Sequence, residues 1–188
     1  MNSNQNFLPS GEVGVAVVSI IMGSTSDLPV MEKAMKFLDD MEIPFEVNAL
    51  SAHRTPEAVE QFAKGAAGRG IKVIIAGAGM AAALPGVIAA STTLPVIGVP
   101  IKGSVLDGVD ALYSILQMPP GIPVATVAIN GAMNAAILAC QMMSLADEAL
   151  TQKMAAYKAG LGQKIEKANA DLAKLEYKYK RPTPSLPE

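Results

Sequence analysis

Val15-Ala16-Val17-Val18-Ser19-Ile20-Ile21-Met22-Gly23-Ser24-Thr25-Ser26-Asp27 decides how this chain folds. Val15 to Ile21 is a nearly unbroken apolar and β-branched run without alternation, the pattern of a strand buried on both faces. The small residues from Gly23 onward end that strand and lead into a helical pattern carried by Met31, Met35, Leu38 and Met41. Asp27 is placed to cap this helix, and Pro29 is tolerated in its first turn. A strand with two buried faces needs helices above and below it, so this unit selects a parallel α/β sheet.

The same alternation runs on along the chain. Phe45 to Leu50 reads as a second strand, and Thr55-Pro56 opens a helix to about Gly68 with Thr55 as its cap. Lys72 to Ala76 is a third strand, Gly77 to Gly79 a loop, and Met80 to Ala90 a helix of small residues. Strands at Pro95 to Val99 and Val124 to Ile129 flank a helix at Val109 to Met118, and Ala132 to Leu145 is helical again. The expected fold is a three-layer αβα sandwich over one parallel sheet, occupying residues 15–146 as one catalytic domain. Asp147 to Tyr179 is charged, with Leu150, Met154, Leu161, Ile165, Leu172 and Leu175 at helical spacing. It predicts a C-terminal helical extension over 147–180, with Gly160 and Gly162 as points of interruption. Residues 1–14 are expected to be a disordered extension without signal-peptide character, and 181–188 a frayed Pro-rich tail.

Composition narrows the function. A chain of 188 residues supports one sizeable core. Its formal charge of −2 carries no footprint for nucleic acid or an anionic membrane. The single cysteine, Cys140, forbids an intrachain disulfide and fits a reducing, cytoplasmic setting. With one His and one Cys, a His/Cys zinc site is not expected. Two long uncharged stretches, 73–101 and 111–146, are each broken by three or more prolines or turns, so neither is an uninterrupted membrane span. Ala132 to Leu145 is apolar nearly all round; one face of such a helix needs a cover that a single sandwich does not supply, which predicts a homo-oligomer.

Polar residues embedded in the apolar half of the chain fall at the carboxyl ends of the expected strands, where open parallel sheets bind ligands. Gly23 to Ser26 is either an ordinary strand-to-helix turn or a phosphate cradle of backbone N–H groups and hydroxyls. Asp27 suits a sugar diol or the helix cap. Ser51-Ala52-His53-Arg54-Thr55-Pro56 brings a guanidinium, suited to a phosphate or carboxylate, beside the only imidazole of the chain. Gly77-Ala78-Gly79 permits close approach of a ligand or tight helix–sheet packing. No Rossmann glycine fingerprint or P-loop is present. The rim therefore reads as a site for a small phosphorylated sugar or nucleotide, with His53 handling protons.

Met22-Gly23-Ser24-Thr25-Ser26-Asp27, Ser51-Ala52-His53-Arg54-Thr55-Pro56 and Gln117-Met118-Pro119-Pro120-Gly121 closely resemble the class I 5-(carboxyamino)imidazole ribonucleotide mutases. Ala76-Gly77-Ala78-Gly79, Leu84-Pro85-Gly86 and Leu94-Pro95-Val96-Ile97-Gly98-Val99-Pro100 belong to the same pattern, which covers roughly Val15 to Leu145 in order. The resemblance implies a flavodoxin-like fold, a homo-octamer, a ribonucleotide substrate of de novo purine synthesis and no metal or organic cofactor. It implies that His53 is the general acid/base, that Ser24, Ser26, Asp27, Ser51 and Arg54 bind ribose and phosphate, and that Gly77, Ala78, Gly79 and Leu84 line the base. Three positions depart from the pattern: Met80 and Ala83 stand where the family usually has Gly and His, so a second histidine is missing, and Leu28 replaces a frequent aromatic residue. The rival readings are a class II-type carboxylase that takes free CO2 and a flavodoxin-like module that binds FMN.

Overall fold

The computed structural model describes residues 14–181. Five parallel strands, β1 (Val18–Met22), β2 (Phe45–Ala49), β3 (Val73–Gly79), β4 (Val96–Ile101) and β5 (Ala125–Thr126), form one sheet in the order β2-β1-β3-β4-β5. This is the flavodoxin-like strand order, which reverses between β1 and β3. Every residue of β1 is buried, as its unbroken apolar run requires. Each such Val or Ile contributes about 1.5–3 kcal/mol by leaving water. Among the described residues Ser19 is the one buried polar side chain of the core, and its hydroxyl donates to Glu46 Oε1 across the β1–β2 pair at 2.9 Å.

The helices are α1 (Leu28–Asp40), α2 (Pro56–Ala66), α3 (Leu84–Ser91), α4 (Val109–Leu116), α5 (Ala132–Ser144) and α6 (Glu148–Ala173). One core joins Ile21, Ile74 and Ala76 of the sheet to Val59 and Ala63 of α2, Ile88 of α3 and Ile115 of α4. On the opposite face α1 lies so close that a Cβ on Gly77 would fall 2.5 Å from Met31 Sδ. These two faces make the three layers. α5 buries Ala132, Ala135, Ala136, Ala139 and Cys140, and turns the larger Met133 outward. Burial pushes the Cys140 thiol up to about 11, which keeps it neutral.

Several boundaries differ from expectation. Gly77 to Gly79 is strand, not loop: Gly77 pairs with Val99 and Gly79 with Ile101, so β4 holds the glycines extended. Helix α3 consequently starts at Leu84, not Met80. Only Ala125 and Thr126 of the expected fifth strand pair with β4, although Val127 and Asn130 still donate backbone bonds to Gly98 and Pro100. Asp27 and Thr55 precede α1 and α2 but neither side chain caps its helix. Gly160 and Gly162 do not interrupt α6, whose cap is Asp147, accepting from Leu150 N at 3.0 Å. The chain divides into two compact units, Met1–Met143 and Ser144–Glu188. The expected extension at 1–14 and tail at 181–188 lie, apart from Gly14 and Arg181, outside the described residues. Among the described residues no helix is long and apolar enough to cross a membrane.

Candidate active site

The reversal of strand order opens a crevice beyond the carboxyl ends of β1 and β3, where ligands bind in open α/β sheets. A small cleft of about 140 Å³ lies there, below the usual range of small-molecule sites. Its polar wall comes from the segments after β1 and β2: Ser24, Ser26, Asp27, Ser51, His53 and Arg54. Its apolar wall comes from the end of β3 and the turn into α3: Ala78, Gly79, Met80, Ala82, Ala83 and Leu84.

After β1 the chain makes a single 3₁₀ turn over Thr25–Asp27, capped by Ser24, whose Oγ accepts from Ser26 N at 3.3 Å. The hydroxyl of Ser26 donates to Asp27 Oδ1 at 3.5 Å. Burial raises the pKa of Asp27, opposed by hydrogen bonds from the backbone of Ser24, the Ser26 side chain and the backbone of Gly23. Its carboxylate therefore turns toward the turn and the cleft rather than capping α1.

The segment after β2 is tied to that turn. Arg54 donates from Nη2 to Gly23 O at 3.2 Å and from Nε to Ser51 Oγ at 3.3 Å. Thr55 Oγ1 accepts from Ser51 N and donates to Ser51 O, both at 3.1 Å, closing the loop that carries His53. Thr55 is thus spent on the loop, which explains its missing helix cap. His53 is exposed at the cleft mouth, and among the described residues nothing hydrogen-bonds its imidazole. Both nitrogens remain available to a ligand.

Of the residues singled out in the sequence, the cleft gathers all but Gly77. Gly77 stands one position behind the wall, where its missing Cβ admits Met31 and its carbonyl accepts from Gly23 N at 3.3 Å. Gly23, Ala52, Met80, Ala82 and Ala83 complete the lining. Gly23 belonged to the candidate cradle, and Met80 and Ala83 stood out as departures from the family pattern; adjacency to named residues was the only sequence signal for Ala52 and Ala82. Among the described residues no group of three or more His, Cys, Asp or Glu side chains is gathered for a metal ion.

Residues 17–164 match the family model described as AIR carboxylase. The chain belongs to the AIR carboxylase family. It is 57% identical over 147 residues to the N5-carboxyaminoimidazole ribonucleotide mutase of Pyrococcus abyssi, covering 78% of this chain and 84% of that protein. It is also 53% identical over 175 residues to the phosphoribosylaminoimidazole carboxylase of Candida glabrata, covering 93% of this chain. The chain spans only 30% of the length of that fungal relative. Among solved structures of the family, Treponema denticola PurE matches with a TM-score of 0.75 and 33% identity, covering 84% of this chain and 98% of that one. All residues that line the cleft lie within the matched span.

Proposed function

We propose that this chain is an N5-carboxyaminoimidazole ribonucleotide mutase, moving a carboxyl group from the exocyclic nitrogen of its substrate to a ring carbon. The observation that carries this reading is the meeting, at one sheet end, of the sole imidazole with a turn of small donors and a guanidinium. The chemistry has two halves. The bond between the exocyclic nitrogen and the carboxyl carbon breaks, CO2 is released, and the nitrogen keeps the electron pair and takes a proton. The ring carbon then bonds to CO2, and the ring proton leaves. His53 is the general acid/base for both halves, since no second histidine exists to share them.

Ser24, Ser26 and the backbone of their turn, with Arg54, hold the phosphate, and Asp27 takes the ribose hydroxyls. Ser51 positions Arg54. Ala78, Gly79 and Leu84 face the base, with Gly77 setting the depth of that wall. Retaining CO2 requires a dry enclosure, and the apolar wall supplies part of one. The rest comes from assembly: the chain works as a cytoplasmic homo-octamer, with the outward apolar residues of α5 covered by neighbours, and it uses no metal or organic cofactor.

The lining contains no Trp, Tyr or Phe to stack on an isoalloxazine ring, which disfavours the FMN-binding alternative. The test is an assay of the purified chain with each ribonucleotide, without and with bicarbonate. The mutase converts the carboxyamino compound without added bicarbonate. Turnover only of the uncarboxylated ribonucleotide with CO2 would overturn the proposal in favour of direct carboxylation.

A further inference from the structure

The turn between β3 and α3 is strained in a way the polar turn is not. Met80 has φ 54° and Ala82 φ 38°, two side-chain-bearing residues in the left-handed region within three positions. Left-handed backbone costs a non-glycine residue roughly 1–2 kcal/mol. Met80 adds a second cost, because its apolar side chain is 71% exposed. A glycine would avoid both. Strain of this kind persists where the surroundings gain from the strained residue, most often at a ligand site. Met80 lines the cleft, and its Cγ lies 3.8 Å from where a Cβ on Gly103 would be, so the side chain reaches alongside the segment that follows β4. It lines the same cleft as His53. Thioether side chains are flexible and polarizable, suited to settling over an irregular ligand surface.

We infer that Met80 is a shielding residue of the carboxyl-transfer site: on substrate binding its side chain folds over the reacting edge of the imidazole and keeps released CO2 from escaping. This rests on the mutase reading, because only a reaction that frees and recaptures CO2 needs the shield. Met80 moves no proton and forms no bond. When the shield fails, CO2 leaves to solvent, the uncarboxylated ribonucleotide remains, and dissolved CO2 can enter in its place.

The experiment turns over the unlabelled carboxyamino substrate in buffer containing 13C-bicarbonate and measures the label in the product and the yield of uncarboxylated ribonucleotide. The intact chain and Met80→Leu should give little of either. Met80→Gly, with its fold checked by thermal melting, should raise both by at least about threefold, an outcome of poorer exclusion rather than lost proton transfer. Equal label and equal leakage in Met80→Gly and the intact chain would overturn the inference while leaving the mutase assignment in place. A folded Met80→Gly with no turnover at all would overturn it too, since removing a shield diverts CO2 and does not stop chemistry. An intact chain inactive on the carboxyamino substrate overturns the mutase reading itself, and this inference with it.

Discussion

The two strand-to-helix turns that face each other across the cleft solve the same geometric problem in opposite ways. After β1, Ser24, Ser26 and Asp27 satisfy their own backbone and side chains within a short 3₁₀ turn. After β3, the backbone is bent through two left-handed residues, Met80 and Ala82, with Ala82 N bonded back to Gly79 O at 3.0 Å. One turn is relaxed, polar and rich in donors; the other is strained, apolar and poor in them. The contrast suits a site that must grip an anionic group on one side and exclude water on the other.

Chemistry on the polar side should be the most fragile. His53→Asn removes the only imidazole while keeping a polar side chain of similar reach at an exposed position, so the fold is not expected to suffer. Turnover should fall by about 10²–10⁴-fold, the usual worth of a general acid/base, with substrate affinity by calorimetry largely kept. Unchanged turnover would remove His53 from the mechanism and erase the division of labour between the two walls.

The strained side should respond with stability instead. Met80→Gly relieves the left-handed strain of an exposed residue, offset in part by the greater freedom of glycine in the unfolded chain. The expected net gain is about 0.5–1 kcal/mol, or roughly 1–4 °C in melting temperature for a chain of this size. Met80→Leu should leave stability unchanged. A destabilised Met80→Gly would mean the side chain is already packed in the free protein, and the turn is not strained for the ligand's sake.

The polar wall was legible in the sequence from its residue types, whereas Ala78, Gly79 and Leu84 of the apolar wall were named and Ala82 was not, for a physical reason. Ser24, Asp27, His53 and Arg54 are conspicuous because a polar residue between apolar strands has few reasons to be there. Ala52, Ala82 and Ala83 are ordinary in an apolar segment, and only the folded turn brings them to the cleft. The sheet was readable from β1 outward because central parallel strands are continuous apolar runs. Gly77 to Gly79 misled because glycine normally punctuates; here pairing with β4 overrides that local tendency, and closeness to α1 uses the missing Cβ. Asp27 and Thr55 looked like caps because their residue types are good caps. Local partners within the preceding turn claimed both side chains, Ser26 for Asp27 and Ser51 for Thr55.

The smallest effect sharpens the view that Asp27 belongs to the site and not to the helix. Burial holds its pKa above the ordinary carboxyl value of 3.8 despite three hydrogen bonds that pull it down. The folded state therefore binds this proton more tightly than the unfolded chain does. Stability from this group is fully present below the unfolded value and is lost as pH rises through the folded one. Ionised Asp27 is thus a net cost to the free protein near neutrality, as a carboxylate kept for a ligand rather than for the fold would be. Asp27→Asn should remove that cost: its melting temperature relative to the intact chain should rise on going from pH 3 to pH 6. Substrate affinity should fall in the same variant, because the amide loses the charge that accepts the ribose hydroxyls. A variant that loses stability at pH 6 would instead make Asp27 a structural carboxylate of the turn, and the polar wall would then owe its binding chemistry to Ser24, Ser26 and Arg54 alone.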